Sequence, residues 1–289
     1  MATAAAGSFT RRTLLAPVTV PGIGIHSGEP VKATLVPAGE PGGGVVFRVG
    51  PGAQEIPARA SNVTDTRRCT VLGSGGAGAG VATVEHLLSA LAGVGVTDCF
   101  VDVDGPELPI GDGSARLWVE AVGKAGVRDL AGAWTGAEPI APREPILVPG
   151  AGGAFITCFP SDSLRLTVVI AFEHPLVGTQ AARWDPAGGD DYASEIAGAR
   201  TFGFIEEVEA LRAAGLARGG SLDNAVVVYP DRFSTPPRFA NEMARHKLLD
   251  LLGDLSLAGR PVVADIVAHR PSHRLNTEFA RLLERGVGA

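Results

Sequence analysis

Two distant segments of the chain repeat one pattern of helix, glycine turn and strand. The first, EHLLSALAGVGVTDCFVDVDG, covers residues 85–105, and the second, RHKLLDLLGDLSLAGRPVVADIVAHR, covers residues 245–270. In the helical part of each, apolar residues recur three and four positions apart, as in an amphipathic helix, and a histidine stands near the start. The repeat predicts two similar α+β domains, each of which offers its histidine-bearing helix to a cleft between them.

Each of these helices carries side chains that can bind a metal ion. His246 and Asp250 are four residues apart, and such positions share a face of a helix. His86 from the other helix would add a third ligand and leave one position of a tetrahedral zinc ion open, as catalytic zinc sites do. Glu85 would then be free to act as a base. Because a lone histidine on an apolar helix is more often simply hydrogen-bonded, the prediction depends on both helices together.

The composition is that of a well-buried globular protein. The chain has 289 residues, of which 45% are hydrophobic and 19% charged, enough for two domains or one large one with a substantial core. Its formal net charge of −6 argues against a general nucleic-acid surface, which would be basic. Cys69, Cys99 and Cys158 are odd in number and not closely paired, which indicates a reducing compartment. Because no run is long enough to span a membrane, we predict a cytoplasmic protein without an integral membrane segment.

Glycine- and proline-rich stretches divide the chain. We place the domain boundary near residue 130, which gives an N-terminal domain over residues 1–130 and a C-terminal domain over residues 131–289. In the C-terminal domain, ASEIAGARTFGFIEEVEALRAAG, residues 193–215, is predicted to be helical. The run GSGGAGAG, residues 73–80, contains a GxGxxG pattern, but the strand before it is short and its glycines overrun the motif. We therefore interpret it as a hairpin loop and not as a dinucleotide site.

Several longer motifs occur together in one order along the chain. They are GIGIHSG (22–28), TVEHLLSALAGVGVTD (83–98), PELPIGDGSA (106–115), RTFGF (200–204), GGSLDNAVV (219–227), RHKLLDLLGDL (245–255) and HRPSHRLN (269–276). With these motifs the chain closely resembles the UDP-3-O-acyl-N-acetylglucosamine deacetylase (LpxC) family, zinc amidases of lipid A synthesis. The resemblance implies an α+β fold of two β-α-α-β sandwich domains, each with a small insert, and an active site in the cleft between them.

The resemblance also implies which residues bind the metal and act on the substrate. By position, His86, His246 and Asp250 match the zinc ligands, which Fe(II) could also occupy. Glu85 matches the general base, which would take a proton from the attacking water.

A second catalytic group is implied in the C-terminal domain. His273 matches a protonated histidine that stabilises the oxyanion and passes a proton to the amine leaving group. Asp254 matches the acid that orients this histidine and supports its charge. Thr201 matches a threonine whose hydroxyl helps to polarise the scissile carbonyl.

The substrate-binding residues implied by the resemblance are Lys247, Phe202 and Arg270, the last of them near the nucleotide phosphates. The segment over about residues 200–224 would form the insert of the second domain and shape the passage for the acyl chain. The implied partner is a UDP-linked, acylated amino sugar, bound by a monomer that binds no nucleic acid.

The chain departs from the family pattern at a few places. Arg67 and Arg68 put two charges into the first insert, Pro271 stiffens a loop, and residues 174–193 differ in length and content. These departures leave open the acyl-chain length and the way in which the substrate is held. Two alternatives remain: the same amidase chemistry on another N-acetylated sugar, or a non-catalytic homologue that binds a UDP-sugar or an acyl chain. The complete set of acid, base and metal ligands argues against the second.

Overall fold

The computed structural model describes residues 10–39, 43–50, 52–73, 80–130, 139–213 and 217–286. Its strands are β1 (Arg12–Leu14), β2 (Val18–Ile23), β3 (Pro30–Pro37), β4 (Val45–Val49), β5 (Gln54–Pro57), β6 (Val63–Asp65), β7 (Val71–Gly73), β8 (Gly80–Val81), β9 (Cys99–Val103), β10 (Val127–Asp129), β11 (Ile146–Pro149), β12 (Phe155–Pro160), β13 (Arg165–Ala171), β14 (Thr179–Trp184), β15 (Phe202–Phe204), β16 (Val226–Val228) and β17 (Ala264–His269). Its helices are α1 (Glu85–Gly93), α2 (Arg116–Ala125), α3 (Tyr192–Glu195), α4 (Ile205–Ala213), α5 (Glu242–Ser256) and α6 (His273–Glu284). This mixture of sheets and helices confirms the predicted α+β class.

Two five-stranded sheets share one connectivity. The first has the order β2-β3-β9-β4-β5 and the second the order β11-β12-β17-β13-β14. The middle strand, β9 or β17, is parallel to one neighbour and antiparallel to the other. A helix precedes each middle strand and another follows it: α1 and α2 around β9, α5 and α6 around β17. The repeat of helix, turn and strand predicted from the sequence is therefore confirmed.

Alternating burial explains how each sheet presents one face to the core. Along β9, β13 and β17, buried residues alternate with partly exposed ones, as expected for strands whose side chains point to opposite faces. The buried side chains of both sheets and of the helices form a common hydrophobic cluster. The domain boundary near residue 130 stays a prediction, since residues 131–138 lie outside the described part of the chain.

The helices α1 and α5 pack directly against each other, and this contact sets the distance between the two repeats. At their closest approach, a Cβ atom added to Gly253 would lie 2.1 Å from the backbone oxygen of Glu85. Only glycine, which has no Cβ, permits this separation. The contact brings the start of α1 onto the second half of α5.

Each repeat has a small insert. It follows the first four strands of the sheet (β2 to β5, or β11 to β14) and precedes the helix that carries the metal-binding histidine (α1 or α5). The first insert is the three-stranded sheet β6-β7-β8. In the second, β15 pairs in parallel with β16, and α4 lies between them in sequence. Their assignment to the inserts of two family domains stays a prediction.

The second insert corrects the continuous helix predicted over residues 193–215. Helix α3 ends at Glu195, residues Phe202–Phe204 form β15, and α4 begins only at Ile205. The partner of β15 is the fully buried strand Val226–Val228. Pairing with this distant strand satisfies the backbone of a short aromatic run and outweighs the local helical pattern.

The glycine-rich run is framed by two paired strands. Gly73 at the end of β7 pairs with Gly80 at the start of β8 in an antiparallel register. The chain therefore turns back on itself, and the interpretation as a hairpin loop is confirmed at both ends; residues 74–79 lie outside the described part. A dinucleotide site would need the strand to run into a helix instead.

Within the residues that the structure covers, no helix combines the length and apolarity needed to cross a bilayer.

Candidate active site

The start of α1 and the middle of α5 bring His86, His246 and Asp250 together. All three side chains are buried, and each offers a ligand atom within 4.8 Å of the other two. His246 and Asp250 meet because they are one helical turn apart, and His86 joins them through the packing of α1 on α5. The three residues predicted as metal ligands thus form one group.

The distances within this group suit a shared ion. The Nε2 atoms of His246 and His86 lie 3.4 and 3.8 Å from Oδ1 of Asp250. A tetrahedral ion with bonds of about 2.0–2.1 Å keeps its ligand atoms about 3.3–3.4 Å apart. The same separations are too long for hydrogen bonds. Oδ1 of Asp250 is buried and has no hydrogen-bond partner among the described residues, so a cation between the three groups would satisfy it.

The protonation states also fit a metal. Burial, reinforced by the neighbouring His246, lowers the pKa of His86 to about 3, and burial lowers the pKa of His246 as well. Both rings are therefore neutral at physiological pH, as metal-binding imidazoles must be. Nδ1 of His246 lies 3.1 Å from the carbonyl oxygen of Ala199. An N–H donated to this oxygen leaves the lone pair of Nε2 free to bind a metal ion.

Asp250 supplies the negative charge of the group. Burial acts to raise its pKa, but the positive charges of Lys247 and His273 beside it outweigh burial and hold the pKa below its usual range. Lys247 Nζ donates a hydrogen bond to Oδ2 at 2.8 Å, which leaves Oδ1 for a metal. Two imidazoles and one carboxylate are a donor set that divalent transition metals bind, with a fourth position left open.

Glu85 stands beside this group as a buried carboxyl. It is the first residue of α1, and its Oε2 accepts the backbone N–H of Thr70 at 3.0 Å. Burial raises its pKa to about 7, an effect that His273 opposes and Asp254 strengthens. A carboxyl with a pKa near neutrality is suited to accept and release protons at physiological pH.

His273 faces Glu85 across the site from the first turn of α6. Its Nε2 lies 3.9 Å from Oε1 of Glu85 and 4.0 Å from Oδ2 of Asp250, and its Nδ1 lies 3.0 Å from Oδ2 of Asp254. Burial acts to lower its pKa, but Asp254 and Glu85 outweigh burial and raise it to about 9. The ring is therefore an imidazolium at neutral pH and can donate from Nε2.

Asp254 is held by several donors. It lies on α5 two turns after His246 and is fully buried. Oδ1 accepts the hydroxyl of Thr70 at 2.5 Å, and Oδ2 accepts Nδ2 of Asn276 at 3.0 Å in addition to Nδ1 of His273. These contacts fix the carboxylate that orients His273.

Lys247 and Phe202 border the metal-binding group. Lys247 Nζ lies 5.9 Å from the centre of the Phe202 ring, and that ring lies 6.3 Å from the ring of His246. Thr201 directly precedes Phe202, and its backbone is held between Gly113 and Val226. The structure thus brings the start of β15, with two of the predicted site residues, to the edge of the group.

Arg270 lies in the loop that leads from β17 to His273, but its guanidinium is turned elsewhere. Nη1 donates to the carbonyl oxygen of Gly152 at 2.8 Å, and its φ of +50° is unusual for a residue other than glycine. Its role in binding phosphate stays a prediction. Arg67 is exposed and bound to Asp65 in the first insert, with a nitrogen–oxygen distance of 2.7 Å.

Two residues of the site were not predicted from the sequence, namely Thr70 and Asn276. Asn276 lies three positions after His273 and so shares its helix face, which is a signal that the motif HRPSHRLN contains. Thr70 shows no comparable pattern, since it reaches the site from the first insert.

Comparison with known proteins agrees with this geometry. The family model described as UDP-3-O-acyl N-acetylglycosamine deacetylase matches residues 11–285. A UDP-3-O-acyl-N-acetylglucosamine deacetylase of Myxococcus xanthus is 42% identical over 283 residues, 95% of this chain and 86% of the relative. The enzymes of that name from Thermosynechococcus vestitus and Leptospira biflexa are 42% and 41% identical, covering 95% and 94% of this chain and 94% and 89% of their own. The chain belongs to the UDP-3-O-acyl-N-acetylglucosamine deacetylase family.

Proposed function

We propose that this chain hydrolyses the N-acetyl group of UDP-3-O-(3-hydroxyacyl)-N-acetylglucosamine in lipid A synthesis, releasing acetate and a free 2-amino sugar. The observation that carries the proposal is that Glu85 and His273 face each other, 3.9 Å apart, beside one buried metal-binding group. The identity of the substrate is inferred from membership of the family. A protein that only binds a UDP-sugar has no need of a base with a pKa near 7 beside an imidazolium.

We assign zinc to the group formed by His86, His246 and Asp250, with Fe(II) as the alternative. When bound, the ion would supply Lewis acidity, which acidifies water and polarises a carbonyl oxygen. The protein supplies the neutral imidazoles, the single carboxylate charge and the open fourth position.

Glu85 and His273 divide the proton transfers. Oε1 of Glu85 takes a proton from water as the water oxygen bonds to the amide carbon, and Nε2 of His273 stabilises the negative charge that develops on the carbonyl oxygen. The carbon–nitrogen bond then breaks, and the amine leaves with a proton from His273. Asp254 keeps the imidazolium charged and oriented throughout. The hydroxyl of Thr201 is proposed to add a donor to the carbonyl oxygen.

The remaining assignments follow from position. Lys247 and Phe202 border the group and are proposed to contact the substrate. Arg270 is proposed to bind its phosphates, for which its guanidinium would have to leave the carbonyl oxygen of Gly152. A monomer in the cytoplasm, with its domains divided near residue 130, is the form in which we expect the enzyme to act.

Removal and return of the metal test the proposed function directly. Protein stripped with a chelator should release no acetate from the proposed substrate, and stoichiometric zinc should restore release, because the imidazole–carboxylate group cannot activate water alone. Acetate is measured by a coupled assay and bound zinc by atomic emission. The control is stripped protein given magnesium, which prefers oxygen ligands and should not restore turnover. Folded, zinc-loaded protein that leaves the substrate intact would contradict the assignment.

The pH profile tests the two proton-transfer roles. Glu85 must be ionised and His273 protonated, so activity should rise through the pKa of the first, about 7, and fall through that of the second, about 9. A bound divalent cation favours the carboxylate and disfavours the imidazolium, so both limbs should lie at lower pH than these values. The profile is measured as kcat/KM against pH for the wild type and for His273→Ala. An alkaline limb that persists unchanged in the variant would remove His273 from this role.

A further inference from the structure

Thr70, a residue of the first insert, makes polar contacts with both Glu85 and Asp254. It precedes β7 in the first insert and is fully buried. Its N–H donates to Oε2 of Glu85 at 3.0 Å, and its hydroxyl donates to Oδ1 of Asp254 at 2.5 Å. Its carbonyl oxygen accepts the N–H of Val84, the residue before Glu85, at 3.4 Å. Every polar group of Thr70 is therefore directed at the site.

These contacts connect side chains that stand on different helices. Glu85 begins α1, whereas Asp254 lies far along α5. Both carboxyl groups are buried, and two such charges repel each other unless donors stand between them. Thr70 supplies one donor to each of them from a single residue.

The contacts also determine which oxygen of each carboxyl group is left to face His273. Because Oε2 of Glu85 is bound to the N–H of Thr70, Oε1 is the oxygen that faces Nε2 of His273, at 3.9 Å. Because Oδ1 of Asp254 is bound to the hydroxyl, Oδ2 is the oxygen that receives Nδ1 of His273, at 3.0 Å. Base and acid are thereby oriented toward each other.

We propose that Thr70 is a positioning residue of the hydrolysis. Its N–H holds Glu85, and its hydroxyl holds Asp254, which in turn holds His273. The proposal rests on the function proposed above. It assigns to the first insert a part in the chemistry.

The variant Thr70→Val isolates the hydroxyl arm of this arrangement. Valine has nearly the same shape and keeps the N–H that binds Glu85, but it leaves Oδ1 of Asp254 without the donor that now holds it. Changes to residues that orient groups around a metal site cost about 10- to 100-fold in activity, and we expect a loss of kcat in this range with KM changed by less than about threefold. Thr70→Ser, which keeps the hydroxyl, should stay within about threefold of the wild type in kcat.

Thr13→Val is the matched control for lost stability. Thr13 is also fully buried, and its hydroxyl accepts the backbone N–H of Ala38 at 2.9 Å, in β1 and away from the site. Its loss should lower the melting temperature without lowering kcat. Equal kcat in Thr70→Val and wild type would overturn the proposal, as would a loss of kcat in Thr13→Val matching that in Thr70→Val.

A double-mutant cycle shows whether the hydroxyl acts through Asp254. In an Asp254→Asn background, Thr70→Val should cost less than about threefold, because two residues acting through one contact are not additive. If the losses of kcat in the two single variants multiply fully in the double variant, the proposal is overturned.

If the valine variant does not fold, Thr70→Ala and Thr70→Ser repeat the comparison. The proposal then requires that the alanine variant loses kcat and that the serine variant does not. A wild type without acetate release would refute the proposed function instead, which separates the two failures.

Discussion

Replacing Glu85 with glutamine should reduce acetate release by about 10²–10⁴-fold, the usual contribution of a general base, while bound zinc stays stoichiometric. Glutamine keeps the size of the side chain and an oxygen that can accept the N–H of Thr70, the contact now made by Oε2 at 3.0 Å. It cannot take a proton from water. Nor does it contribute to the metal-binding group, which consists of His86, His246 and Asp250.

The comparison variant for this prediction is Glu85→Asp. Aspartate keeps the carboxylate but withdraws it by one methylene, so kcat should fall between that of the wild type and that of Glu85→Gln. Activity is measured as kcat and KM for acetate release, and zinc is measured on the same samples. Turnover of Glu85→Gln at the wild-type rate would exclude Glu85 as the base. Loss of zinc together with activity would show that Glu85 maintains the site and does not act only as a base.

The metal-binding group could be predicted because its residues follow local periodicity, whereas the roles of Asp254, His273 and Thr201 were implied only by the resemblance of the motifs. His246, Asp250 and Asp254 recur at four-residue intervals on one helix, and a repeat of 3.6 residues per turn places them on one face whatever surrounds the helix. The same rule places His86 at the start of an amphipathic helix. That α1 and α5 meet follows from the repeated pattern and not from either segment alone.

The parts that could not be predicted depend on contacts between distant segments. Thr70 and Asp254 are separated by 184 positions, and no spacing in the sequence relates them. Similarly, residues 202–204 form a strand because β16 is available as a partner. The pattern of the surrounding residues alone predicts a helix there. In both cases tertiary packing determines the local structure or contact, and the sequence pattern of a single segment does not predict it.

Replacing Gly253 with alanine should disrupt the site although no residue that binds metal or substrate is replaced. The added methyl group would lie 2.1 Å from the backbone oxygen of Glu85 and 3.0 Å from its Cα. Backbone atoms cannot yield as a flexible side chain can, so α1 must move away from α5. Overpacking of this kind costs about 1–3 kcal/mol of stability. Because Glu85 and His86 move with α1 while His246 and Asp250 stay on α5, a displacement near 1 Å should lower kcat/KM by about 10²-fold.

Gly123→Ala provides the matched control for the same chemical change. Gly123 is an exposed position within α2, and a Cβ added there meets no atom within 4 Å. Alanine should therefore raise stability by about 0.5–1 kcal/mol and leave zinc binding and activity unchanged. Denaturant unfolding, zinc affinity and kcat/KM are measured for both variants and the wild type. If Gly253→Ala kept wild-type zinc affinity and turnover, the approach of α1 to α5 at this point would not set the geometry of the site. A loss confined to Gly253→Ala would mean that the separation of two helix backbones, and not only the identity of the ligands, determines whether the two repeats form one metal site.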